Sequence, residues 1–172
     1  EVLLNETSGR INAAGLLDIT GIVLTLQGPI TSSFNSNTST AEVSLTAADA
    51  IDFGTQLEAH HDAQVLITYG GTMSMVDTLV DVGTLNIVGG HLTMGATVDG
   101  VRRGASVMVA KAIDIGLWGD LTIDPAVSLV ASDQASNIVI DVNAIDILGT
   151  VHAGAEIVDG SVSASGNAST VQ

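Results

Sequence analysis

A-I-D-I-G at residues 112–116 recurs, with small changes, four more times along the chain. A-I-D-F-G stands at 50–54, A-I-D-I-L-G at 144–149, L-L-D-I-T-G at 16–21 and L-V-D-V-G at 79–83. The apolar residues that follow the aspartates are Ile19, Phe53, Val82, Ile115 and Ile147. They recur roughly every 32 residues with little scatter, and periods of about 20–50 residues belong to solenoids, propellers and arrays.

The similarity extends beyond the phrase. A glycine follows each copy within a residue or two: Gly21, Gly54, Gly83, Gly116 and Gly149. Then comes an alternating pair, Leu24/Leu26, Leu57/Ala59, Leu85/Ile87, Leu121/Ile123 or Val151/Ala153. Turn clusters such as Gly28-Pro29, Gly89-Gly90 and Asp124-Pro125 precede a further apolar pair such as Leu92/Met94 or Val127/Leu129. Each unit therefore reads strand, glycine corner, strand, turn, strand, with period-two alternation and β-branched residues in the strands. A propeller blade needs about 40 residues and tight hairpins. The expected fold is all-β: a parallel β-helix, or β-solenoid, of about five coils over residues 1–160, with 161–172 as a terminal partial coil or linker. Stacked at about 4.8 Å per coil, like residues would form ladders inside, and the repeated phrase would mark a repeated corner.

Composition agrees with a repetitive aliphatic core. The chain has 172 residues, of which 46% are hydrophobic and only 2% aromatic, and mean hydropathy is +0.48. Nineteen acidic residues against four basic ones give a net charge of −15, which argues against nucleic acid and anionic membrane surfaces as partners. No stretch is long and apolar enough to span a bilayer as a helix, so no membrane insertion is expected. There is no cysteine, and Lys111 is the single lysine in a chain rich in Ser, Thr, Asn and Gly. That balance suggests an exported protein.

In the pattern Ile-Asp-Ile the flanking apolar residues point inward, so Asp18, Asp52, Asp81, Asp114 and Asp146 are expected to point outward in one column. Like charges on neighbouring strands repel. Solvation, or capping of corner N–H groups, would offset this; the sharper alternative is a ladder of Ca²⁺ ions bridging coils through oxygen ligands. Neither the calcium nonapeptide nor an EF-hand loop occurs, and no cofactor is required by the sequence. His60-His61-Asp62 reads as an exposed loop rather than a metal cluster. Gly90-His91 and Arg102-Arg103 bear comparison with the catalytic corners of β-helical polysaccharide-active enzymes, but clustered acids with sugar-stacking aromatics are lacking. Trp118, in G-L-W-G at 116–119, lengthens a corner, as a plug over it or as a partner contact. With Phe34, in the polar loop 31–40, it is the candidate binding residue for a glycan or surface receptor. Asn5, Asn37 and Asn167 stand in glycosylation sequons.

The stretch I-L-G-T-V-H-A-G-A-E-I at 147–157 resembles the repeats of large bacterial exported β-solenoids of the filamentous-haemagglutinin and autotransporter-passenger type. The resemblance covers nearly the whole chain as a pattern of Gly, Ala and aliphatics, although the spacing here is longer. It implies a right-handed parallel β-helix on or shed from the cell surface, acting as adhesin, spacer or fibre material, and no catalytic residue carries over. The expectation is a non-enzymatic extracellular or cell-surface module. Neither end reads as a cap, which predicts head-to-tail self-association into filaments. The alternatives are an adhesin segment binding a host receptor or glycan, and a β-helical polysaccharide-active enzyme using Asp114 or Asp146.

Overall fold

The computed structural model describes residues 2–4, 10–14, 16–32, 43–133, 136–153 and 161–165, the last five by backbone alone. Among these there is no helix: seventeen strands form one parallel sheet and two more form a separate hairpin. The chain is a β-solenoid, as its repeats predict.

The sheet winds around three faces. The first face stacks β2 (Ile11–Ala13), β4 (Ile30–Ser32), β6 (Gln56–Ala59), the first parts of β9 (Thr78–Gly89) and β13 (Ala105–Leu117), β15 (Ser128–Ala131) and β18 (Thr150–Ala153). The second stacks the first parts of β3 (Leu17–Leu26) and β5 (Val43–Phe53), then β7 (Gln64–Tyr69), the second parts of β9 and β13, β16 (Asn137–Asp141) and β19 (Ser161–Ser165). The third stacks β1 (Val2–Leu4), the second parts of β3 and β5, then β8 (Thr72–Met75), β10 (His91–Met94), β14 (Asp120–Ile123) and β17 (Ala144–Ile147). From β2 to β17 the chain makes about six turns. β19 continues the second face into the segment expected to be a partial coil or linker.

Coil length varies. Met73 pairs with Leu92 and Leu92 with Leu121, a short step followed by a long one, and no other coil step is shorter than the first or longer than the second. The sequence phrase recurs at wider intervals than the average coil, and so runs ahead of it by about a third of a turn each time. Its copies fall in order on the second, third, first, second and third faces. On each face the phrase covers most or all of the paired strand and runs on towards the next corner. It marks a face strand, whichever face that is.

Inside, the alternation of each strand delivers continuous aliphatic ladders. On the second face Val43, Val65, Leu85, Ile113 and Ile138 form one column, and Leu45, Ile67, Ile87, Ile115 and Ile140 the next, all fully buried. The third face contributes Leu26, Phe53, Met75, Met94 and Ile123 in the same way. A buried side chain of this size contributes about 1.5–3 kcal/mol, and the stack repeats that contribution in every coil. Ile115→Ala should therefore lower unfolding free energy by about 2–5 kcal/mol in a denaturant titration, while Asp114→Ala, one residue away on the exposed side, should leave the midpoint nearly unchanged.

The one large ring deep in the second face is Tyr69, 1% exposed, paired with Ala47 in the coil before. Gly89 faces it from the coil after: a Cβ there would lie 2.4 Å from the Tyr69 ring. The ring thus occupies space that two small neighbours leave. Its hydroxyl is buried without a hydrogen-bond partner among the described residues, and burial pushes its pKa well above the ordinary tyrosine value. Tyr69→Phe should stabilise the fold by about 1 kcal/mol or more, because an unpartnered buried hydroxyl carries its desolvation cost uncompensated. The pH dependence follows in sign. An unfolded tyrosine ionises near about pH 10 while the folded one stays protonated, so this residue's share of stability is intact below that pH and is lost as pH rises beyond it. Thermal melts of wild type and Tyr69→Phe should diverge further above that pH, the variant being the more resistant.

Candidate functional site

The five phrase aspartates are exposed, as the inward-outward alternation requires, but they do not form one column. Asp18 and Asp114 lie on the second face, separated by Ser44, Leu66 and Asn86. Asp52 and Asp146 lie on the third, separated by Ser74, Thr93 and Thr122. Asp81 lies alone of the five on the first face, between Glu58 and Met108. Four coil steps, about 19 Å, part the members of each same-face pair. No cation can bridge carboxylates at that distance, so the expected Ca²⁺ ladder is not assembled by these residues. Repulsion among the five is relieved by this spacing, although Asp81 keeps Glu58 as a like-charged register neighbour; Thr20 Oγ1 donates to Asp18 at 3.2 Å, and Gln27 Nε2 to Asp52 at 3.3 Å.

His60-His61-Asp62 forms the turn between β6 and β7 at the corner joining the first and second faces. The two histidines are exposed, as a loop reading expects; their ring centroids are 4.9 Å apart, and their donor atoms and the Asp62 carboxylate gather within 4.8 Å. Lys111, two coils further on at the same corner, sits where β13 bulges between Val109 and Ala112, and its Nζ lies 2.5 Å from Asp62 Oδ1. That hydrogen bond, ahead of the nearby histidines, holds the Asp62 carboxyl below its ordinary pKa. The cation this carboxylate holds is the lysine ammonium. Lys111→Met should let the Asp62 pKa rise towards the usual aspartate value, read by NMR titration of the carboxyl carbon.

The corner joining the second and third faces carries a second polar group. His91, Asp120 and Asn143 stack there on three successive coils. The Asp120 N–H donates to His91 Nδ1 at 3.1 Å, and Asn143 Nδ2 donates to Asp120 Oδ1 at 3.4 Å. Beside them Trp118 is 62% exposed, so it does not plug the corner; Leu117 takes the inward position and is buried. The backbone beneath the indole is pinned, Trp118 N–H to Gly89 O at 3.0 Å and Gly119 N–H to Gly90 O at 3.2 Å.

The remaining corner, from third to first face, bears a feature that the repeat analysis missed. Between β10 and β13 the chain leaves the solenoid as a hairpin, β11 (Ala96–Val98) paired antiparallel with β12 (Val101–Arg103). Asp99 and Gly100 form its tip with φ of 51° and 77°, the left-handed pair that a tight two-residue turn demands. The Asp-Gly dipeptide between strand-forming residues was the available signal. Arg103 anchors the hairpin base through Nη1 to Asp77 Oδ2 at 2.7 Å. Arg102-Arg103 and Gly90-His91, compared above with one catalytic corner, thus stand at opposite edges of the third face. Phe34, most of the polar loop and the three sequon asparagines lie outside the described residues.

Comparison with protein-family models, with curated proteins and with solved structures gave no match to this chain.

Proposed function

We propose that the chain is a non-enzymatic structural module, a rigid β-solenoid segment of an extracellular or cell-surface protein that acts as a spacer or joins its neighbours end to end in a fibre. The supporting observation is the parallel ladder itself: three faces, each stacked in register from coil to coil, enclosing a core filled by aliphatic side chains. Such a stack extends by adding coils without altering those already present. The absence of cysteine, the single lysine and the large negative charge are consistent with an exported surface, and with copies that stay dispersed except along the axis.

Electron microscopy and fibre diffraction of the purified chain, with and without EDTA, test the reading. Rods giving an axial reflection near about 4.8 Å, aligned end to end and unchanged by EDTA, are expected. Compact particles without that reflection, or turnover of a polysaccharide abolished by Asp114→Asn or Asp146→Asn, would overturn it.

A further inference from the structure

The exposed indole of Trp118 has no role in turning its corner. In two other coils this corner is made with the same number of residues between the faces, and the position equivalent to Trp118 is Ala48 in one and Gly70 in the other. The coils directly before and after Trp118 turn with one residue fewer, Gly90 and Asn143. In the first coil this corner holds Ile22, also exposed, so residues there range from glycine to isoleucine and turning the chain gives no reason for an indole. The chain's one tryptophan stands there with most of its surface in water, on backbone fixed by hydrogen bonds to the coil before. A rigid aromatic surface presented this way loses little conformational freedom when it is covered.

The groups beside it define what could cover it. His91 Nδ1 accepts the Asp120 N–H and lies 3.5 Å from the Asp120 carboxylate, which leaves Nε2 as the ring's second hydrogen-bonding atom. The Asp120 carboxylate and the Asn143 amide oxygen supply acceptors. Two residues along the same strands, Thr93 and Thr122 turn exposed hydroxyls outward and are register neighbours. Donors and acceptors thus alternate across successive coils next to one flat apolar face, with no lysine or arginine among them. A ligand matching this has an apolar face and a rim of hydroxyls that both donate and accept. The charge of −15 disfavours carboxylated or sulfated versions.

We propose that Trp118, His91, Asp120 and Asn143, extended by Thr93 and Thr122, form a binding edge for a neutral saccharide, one pyranose ring lying on the indole with its hydroxyls bonded along the corner. The three coils involved span two steps, about 10 Å, enough for two or three sugar units. The site is independent of end-to-end stacking, so it stands whether or not the chain forms fibres.

Trp118 is also the only tryptophan, so its fluorescence reports on this corner alone. Malto-, cello-, xylo-, manno- and chito-oligosaccharides are titrated into the intact chain, with oligogalacturonate as the anionic counterpart. At least one neutral series should give a saturable emission change at up to about 10 mM, a range that includes weak single-site binding. Calorimetry with the same sugar should show loss of binding in Trp118→Ala, whose side chain the equivalent corner already accepts at Ala48, and about tenfold or greater weakening in Asp120→Ala. Unchanged melting curves would confirm that both variants fold. No saturable response from any neutral series overturns the proposal. So does binding indifferent to both substitutions, or a preference for oligogalacturonate.

Discussion

The hydrogen-bond ladder between successive coils is the constraint from which the rest of this molecule follows. Every strand in the sheet finds its backbone partners in a neighbouring coil, on both sides except at the two ends of the described stack, so each coil must present the same three faces in the same register. Variation is therefore expelled to the corners. A coil can shorten, as from Met73 to Leu92 where glycines make tight corners, or lengthen, as from Leu92 to Leu121 where the hairpin is inserted, and the neighbouring strands still pair. Everything chemically distinctive in the described residues, the His60-His61-Asp62 turn, the Trp118 edge and the arginine-bearing hairpin, sits at a corner or beside one for that reason. The faces are committed to stacking; the corners are where this sequence is free to differ.

The same constraint explains how much could be read in advance. Ile113-Asp114-Ile115 announces its own orientation, because alternation in a strand is local and the structure buries both isoleucines while exposing the aspartate. Which face the triplet belongs to is not local. All three faces line their interior with the same aliphatic residues and each carries the same phrase, so the sequence distinguishes a face from a corner without distinguishing one face from another. The spacing of the phrase was legible. The uneven length of the coils, fixed by pairing between strands far apart in sequence, was not.

The corners were harder to read for a related reason. A residue such as Trp118 has no inward direction to take once Leu117 has filled the core, so its aromatic character, which in a strand would argue for burial, says nothing about where it goes. His60 and His61 were legible as an exposed loop; that the turn brings their rings together is set by local geometry that alternation does not encode. The hairpin is a different case: its Asp99-Gly100 turn is a local signal that belongs to a single coil and so stands outside the repeat.

The offset between phrase and coil also shapes the outside of the molecule. Because each copy lands a third of a turn further round, the phrase aspartates wind about the axis as a screw instead of lining one flank. A stripe of carboxylates would give the rod a front and a back, and two rods could avoid it by turning. Spread around the circumference, these charges present much the same repulsion at every azimuth. Two such rods side by side would then meet similar repulsion from these residues whichever way each was turned.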